Sequence, residues 1–320
     1  MRRGVGRLAA VSALAALLLG MATPAGAEAT DRGFGGPHNW PRPSFGCFTH
    51  PDVRPGESFQ GTVVSGGIER SYLAHVPDTY RSWKPKPLVL SYHGQGRTSE
   101  YQEELSGFSE LDMIAVYPQG TIGTEEEKTA WSGAPYSSGA DDVLFTSDLL
   151  DDLQSRLCVD PNRIFATGKS NGGGFTGMLA CRLGGRIAAF APVSGAFYPQ
   201  SGECSPSRPV PVLSFHGGQD ATVPYDGDPV KGLPALPDWL GGWAERNRCD
   251  TGPAVEDRGN GVQVSTWDDC ARHGSVQHYR VDGLAHDWPS TTPNPDSDVP
   301  SVLDATPLIE EFFKANPLYS

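Results

Sequence analysis

An α/β fold with a mostly parallel central sheet flanked by helices is the class this sequence predicts, and three observations predict it. Short apolar runs at 87–92, 113–117, 188–193 and 209–215 have the length and composition of strands buried on both faces. Segments of helical period alternate with them, the strongest at 141–157, where Val143, Leu144, Leu149, Leu150, Leu153 and Leu157 recur at helical spacing. The length left after an N-terminal leader, about 293 residues, suits one large domain, expected to span 28–320.

The leader is expected at 1–27. Arg2, Arg3 and Arg7 form a positive start, 8–19 is apolar, and Ala25-Gly26-Ala27 is an A-x-A cleavage site, so the pattern is that of a secretory signal peptide. The chain is therefore expected to be secreted and extracellular. Residues 28–45 are expected to run as an extended surface segment. No other stretch approaches about 18 continuous apolar residues, so no membrane span is expected. Without the leader's three arginines the balance is 22 basic to 38 acidic residues, a formal charge of −16. That disfavours nucleic acid and anionic membrane surfaces as partners. A monomer is expected. The six cysteines are an even number in an exported chain, so disulfides are expected, with 15 pairings open. Cys249–Cys270 and Cys181–Cys204 are the local choices, which leaves Cys47–Cys158. No C-x-x-C or Cys/His cluster offers a metal site, and no cofactor is expected.

In chain order, the Pro- and Gly-rich stretch to about residue 60 should lie over the surface. Residues 70–77 (RSYLAHVP) alternate as an edge strand or hairpin arm. The strands at 87–92 and 113–117 follow. A loop of some twenty residues through Trp131 and Tyr136 is then long enough to suggest a substrate-facing role. After the 141–157 helix comes the strand 164–167 and a helical segment bearing Phe175, Met178 and Leu179. Further strands are expected at 188–193, 209–215, 262–267 and 277–281, with helices at 237–248 and 304–314.

Between the 164–167 strand and its helix sits Gly168-Lys169-Ser170-Asn171-Gly172, a G-x-S-x-G elbow. Its turn is so sharp that the serine backbone is strained and flanking side chains would collide. In an α/β-hydrolase the nucleophile, acid and base arrive in that chain order from loops at the carboxyl ends of strands. Ser170 is the expected nucleophile. The strand 209–215 leads to Asp220 as the acid, and the last strand leads to His286 as the base. Asp287 adjoins His286 and should point elsewhere, while Asp226 and Asp228 lie further from the strand end. His216 reads as a structural histidine bonded to loop backbone, His273 precedes the last loop, and His278 reads as half-buried scaffold. The oxyanion donors are expected to be the backbone N–H groups of Gln95 and Asn171, with His93 bracing the first of them. Tyr92, Trp131, Tyr225 and Trp288 are the aromatic candidates for a substrate pocket, each also readable as a core side chain.

The segments ATGKSNGGGFTGMLAC, AAFAPVSGAFY, HGGQDATVPYDG, PDWLGGWAERNRC and GLAHDWP together resemble secreted feruloyl esterases of carbohydrate esterase family 1. They also resemble the related polyhydroxybutyrate-depolymerase-like esterases. The likeness runs from about Gly46 to the C-terminus. It implies an α/β-hydrolase fold without a large lid domain, and the family's catalytic residues fall on Ser170, Asp220 and His286. The activity it implies is release of ferulic or related hydroxycinnamic acids from ester-substituted plant polysaccharide. The depolymerase-like branch often has a cysteine where this chain has Gln95, which weighs against a polyester substrate. Acetyl-xylan and short-chain polyhydroxyalkanoate esters are the alternatives. A non-catalytic exported binding protein is a third reading, opposed by the complete set of Ser170, Asp220 and His286.

Overall fold

The computed structural model describes residues 42–49, 51–125 and 127–318, so the expected leader and residues 28–41 of the expected surface segment lie outside it. Among the described residues ten strands form one sheet. It opens with an antiparallel hairpin of β1 (Ser58–Ser65) and β2 (Ile68–His75), turned at Gly66 and Gly67 with φ 58° and 81°. A two-residue hairpin turn of type I′ needs positive φ at both positions, which glycine adopts freely. Next, β2 pairs antiparallel with β4 (Ile114–Pro118). The parallel block then runs from β4 through β3 (Lys86–Tyr92), β7 (Val159–Lys169), β8 (Ala189–Val193) and β9 (Val212–Gly217) to β12 (Val276–Val281). Antiparallel β11 (Val262–Trp267) and β10 (Ala254–Asp257) complete it, and a separate small hairpin, β5 (Thr121–Ile122) with β6 (Thr129–Ala130), decorates the long loop.

The two-residue period of the strands divides the core. Leu88, Leu90, Tyr92, Ile164 and Ala166 pack on one side of the sheet, and Val89 and Phe165 on the other. Helices α2 (Asp142–Arg156), α3 (Asn171–Arg182) and α4 (Leu236–Asn247) cover the first side with Phe145, Leu149, Phe175, Leu179, Leu240 and Trp243. Helices α1 (Ser99–Ser106) and α5 (Ala305–Ala315) cover the second with Leu105, Ile309, Phe312 and Phe313. The Asp141 carboxylate caps α2 by accepting the Leu144 N–H at 2.9 Å. This is an α/β-hydrolase fold, and no helical lid domain interrupts the strands among the described residues. Several elements depart from expectation, among them the short strands β5, β6 and β10, where no strand was expected. β1 begins inside the stretch read as surface coil. The helix α1, SEYQEELS, has too few apolar residues to show a periodic stripe.

Three disulfides close the chain: Cys47–Cys158, Cys181–Cys204 and Cys249–Cys270. Cys47–Cys158 spans 111 residues against 23 and 21 for the others. In the chain-entropy account it constrains the unfolded chain by about 1.4 kcal/mol more than either. Replacing Cys47 and Cys158 by alanine should therefore lower the Tm more than removing either local bridge, which calorimetry of the three double variants will read.

Candidate active site

Strands β7, β9 and β12 run parallel, so their carboxyl ends deliver Ser170, Asp220 and His286 to one edge of the sheet. Ser170 lies between β7 and α3 with φ 58° and ψ −120°, a conformation ordinary L-residues avoid. Its backbone is held on three sides. The Ser170 N–H donates to Val193 O at 3.0 Å, and Ser170 O accepts from Gly174 N at 2.9 Å and Ala196 N at 3.0 Å. The elbow glycines are required by contact. A Cβ at Gly172 would strike the Tyr92 carbonyl oxygen and lie 2.5 Å from that of His93, and one at Gly168 would lie 2.6 Å from Gly172 O.

Asp220 is buried and anchored at both oxygens. Oδ1 accepts from the N–H groups of Thr222 and Val223 at 2.9 and 2.8 Å, and Oδ2 pairs with His286 Nδ1 at 2.7 Å. His216 Nε2 lies 3.3 Å from the same Oδ2 and donates to Val223 O at 2.7 Å. Burial opposes ionisation of Asp220, but the bonds from His216 and His286 and the Val223 N–H outweigh it and hold the carboxyl well below the usual range. A carboxylate on Nδ1 leaves Nε2 of His286 free to accept a proton, and the ring is partly exposed at 16%. The loop carrying His286 reaches Asp220 because Gly217 has no side chain, since a Cβ there would meet the carbonyl oxygens of Leu284 and Ala285.

The loop after β3 lies against the serine: a Cβ at Gly94 would sit 3.4 Å from Ser170 Cβ and 3.9 Å from its Oγ. His93 fixes this loop. Its Nδ1–H donates to Gly94 O at 2.7 Å and its Nε2 accepts from the Gly120 N–H at 3.0 Å. Burial lowers the His93 pKa to about 4, so the ring is neutral and serves as a brace. Across the elbow, Asn171 Oδ1 accepts from Trp131 N at 2.8 Å, and Trp131 Nε1–H donates to His93 O at 2.9 Å. The Asn171 N–H is the first of α3, where a helix has no internal acceptor to offer.

The expected pocket is corrected in three of its four members. Tyr92 and Trp131 are 0% exposed and Trp288 1%, so none lines a surface pocket near the serine. The Tyr92 hydroxyl bonds Thr146, Trp131 stacks between Phe145 and Phe175, and Trp288 Nε1–H donates to Thr306. Their polar groups found internal partners, which let the whole side chain bury. Tyr225 is half-buried beneath Arg280, whose guanidinium carbon is 4.6 Å from its ring centre. His278, expected to be half-buried, is enclosed. A cleft of about 260 Å³ instead lies along α3, lined by Phe197, Tyr198, Met178 and Trp239. Phe197 and Trp239 stack with ring centres 3.7 Å apart, and Tyr136 from the long loop meets Tyr198 edge-on. The position of Phe197-Tyr198 just beyond the carboxyl end of β8 is the sequence signal that could have found this cleft.

No family model matches the chain. Feruloyl esterase B of Piromyces equi is 30% identical over 68% of this chain, an alignment that spans only 42% of that relative's length. A putative esterase, NocK, of Nocardia uniformis subsp. tsuyamanensis is 30% identical over 72% of this chain and 74% of its own length. Among solved structures, an acetyl xylan esterase from Aspergillus awamori superposes with a TM-score of 0.58 at 16% identity, covering 80% of this chain and 99% of that one. The last likeness supports the fold, and the sequence relatives support the lineage: this chain belongs to the feruloyl esterase-like family within the α/β-hydrolase fold.

Proposed function

We propose that the protein is an exported serine esterase that hydrolyses hydroxycinnamoyl (feruloyl) esters of plant cell-wall polysaccharide. Ser170 is the nucleophile, His286 the base and then the acid, and Asp220 the carboxylate that orients it. The observation that carries this reading is the 2.7 Å bond from His286 Nδ1 to an Asp220 held ionised, at the sheet edge where Ser170 occupies its strained elbow. Ser170 Oγ attacks the ester carbonyl carbon as its proton passes to His286 Nε2. The bond to the alcohol oxygen breaks as that proton is handed to the leaving group. Water then attacks the acyl-serine, gives a proton to His286, and Ser170 leaves with it. The N–H groups of Asn171 and Gln95 receive the negative oxygen in both halves. The aromatic cleft beside α3 does not include Ser170 itself but begins at Gly174, whose N–H bonds Ser170 O, and would suit an aromatic acyl group reaching along the helix; the disulfides suit an oxidising compartment outside the cell.

The test is kcat/KM for methyl ferulate against an acetyl ester and a 3-hydroxybutyrate oligomer. Ferulate should be preferred by about tenfold or more, equivalent to about 1.4 kcal/mol of transition-state binding. Phe197→Ala should erode that preference. A preference for the acetyl or hydroxybutyrate ester would overturn the substrate while leaving the triad in place.

A further inference from the structure

The elbow and the histidine loop are joined by a buried charge pair that the triad does not use. Lys169, the last residue of β7 and the neighbour of Ser170, places Nζ 3.0 Å from Asp296 Oδ2, with the two side chains 10% and 3% exposed. The same Oδ2 accepts the Trp288 N–H at 3.0 Å, and Oδ1 accepts the Tyr101 hydroxyl at 2.7 Å. Trp288 is two residues beyond His286, so one carboxylate ties the backbone next to the base to the side chain next to the nucleophile. The loop is stiffened by Asn294, whose Nδ2–H donates to Trp288 O at 2.9 Å and whose Oδ1 accepts the Asp296 N–H at 2.9 Å. On the β8 side, the Ser194 hydroxyl donates to Asp287 O at 3.3 Å.

We infer that Lys169 and Asp296 are positioning residues for the triad: the pair sets the distance between Ser170 and His286 and balances the charge around the imidazole. This rests on the esterase reading above. A buried pair kept only for stability has no need to span the two catalytic segments, and such pairs are often replaceable by apolar residues. His286 itself pairs with Asp220, with His216 behind it, from the β9 loop; the next residue, Asp287, is the one that senses His286, Asp220, Asp296 on the same loop and Lys169 from β7 together. From α1 comes Tyr101, whose ring centre is 4.4 Å from the Arg97 guanidinium carbon. Burial and then the neighbouring Asp296 raise the Asp287 pKa, while Lys169 lowers it, so these groups feel one another.

The two partners therefore act on the imidazole with opposite signs. Losing the Lys169 cation favours the protonated ring, and losing the Asp296 anion disfavours it. The experiment compares the wild type with Lys169→Met, Asp296→Asn and the double variant, measuring the rate of Ser170 labelling by a fluorophosphonate and kcat/KM against pH. Each single variant should label at least about tenfold more slowly, with KM within about twofold of wild type. The acid midpoint of activity should move up in Lys169→Met, down in Asp296→Asn, and return towards wild type in the double variant. A structural role alone would move both midpoints the same way or neither, and that result, or unchanged labelling, overturns the proposal. Should the singles fail to fold, wild-type labelling by the double variant, which removes both charges, or a displaced midpoint in Lys169→Arg, which keeps the charge, would equally overturn it. A wild type that the probe does not label overturns the esterase reading, and this proposal with it; labelled wild type with indifferent variants sinks this proposal only.

Discussion

Replacing Ser170 by alanine should lower kcat for ester hydrolysis by about 10⁶-fold, the cost of losing the nucleophile of a triad that acts as a unit. The protein should remain folded. Alanine tolerates φ 58° no worse than serine does, and the three backbone bonds that hold residue 170 do not involve the hydroxyl. Truncating one part-exposed Oγ should change stability by less than about 0.5 kcal/mol, a Tm shift of about 1–2 °C. Steady-state rates with calorimetry on the same samples will decide. A variant retaining activity within tenfold of wild type would reject Ser170 as nucleophile, and one that melts far below wild type would show that the hydroxyl also holds the elbow together.

The second large effect is expected from Asp220→Asn, about 10⁴-fold in kcat. Both carboxylate oxygens of Asp220 face donors: Thr222 and Val223 N–H on one side, His286 and His216 on the other. An amide must point its NH₂ at one of these. Turned towards His286, it forces the tautomer with the proton on Nε2, which cannot take the serine proton. Turned the other way, it breaks the loop that positions the acid. Stability changes as well, and its sign follows from the depressed pKa of Asp220. A group whose folded pKa lies below its unfolded value adds stability above the unfolded pKa of about 3.9 and loses it as pH falls below that value. At pH 7 the variant should be less stable by about 2–3 kcal/mol, the worth of hydrogen bonds to a buried charge. Below about pH 4 the gap should narrow. Denaturant titrations at pH 7 and pH 3 measure both arms, and curves that stay parallel would remove the ionised carboxylate from the account.

Much of this was legible in one dimension because it depends on local rules. Apolar runs of strand length and the helical spacing of 141–157 report burial directly, and β3, β4, β8 and α2 fall where those patterns place them, while β7 begins earlier, at Val159, and β9 later, at Val212, than their apolar runs suggest. The elbow at Gly168–Gly172 is legible for a related reason: a turn that admits no Cβ leaves a fixed glycine spacing. The reading of His93 and His216 as braces also follows from local position, since each sits at a strand end within reach of its own loop's carbonyl.

What lay beyond the sequence are the properties that depend on which distant segments meet. An aromatic residue beside a catalytic motif reads the same whether it lines a pocket or fills the core. Tyr92, Trp131 and Trp288 became core because Thr146, His93 and Thr306 took up their polar atoms, and those partners come from elsewhere in the chain. The cleft along α3 needs the loop after β8 and helix α4 to converge, as Phe197 and Trp239 do from 42 residues apart in the sequence. Lys169 and Asp296 are 127 residues apart and carry no local pattern. Hydrophobic periodicity is written into the chain because burial is a property of one residue and its near neighbours. Pairing of buried polar groups is a property of two surfaces, and only the folded arrangement of β7, α1 and the histidine loop decided that a lysine beside the serine would meet an aspartate beyond the histidine.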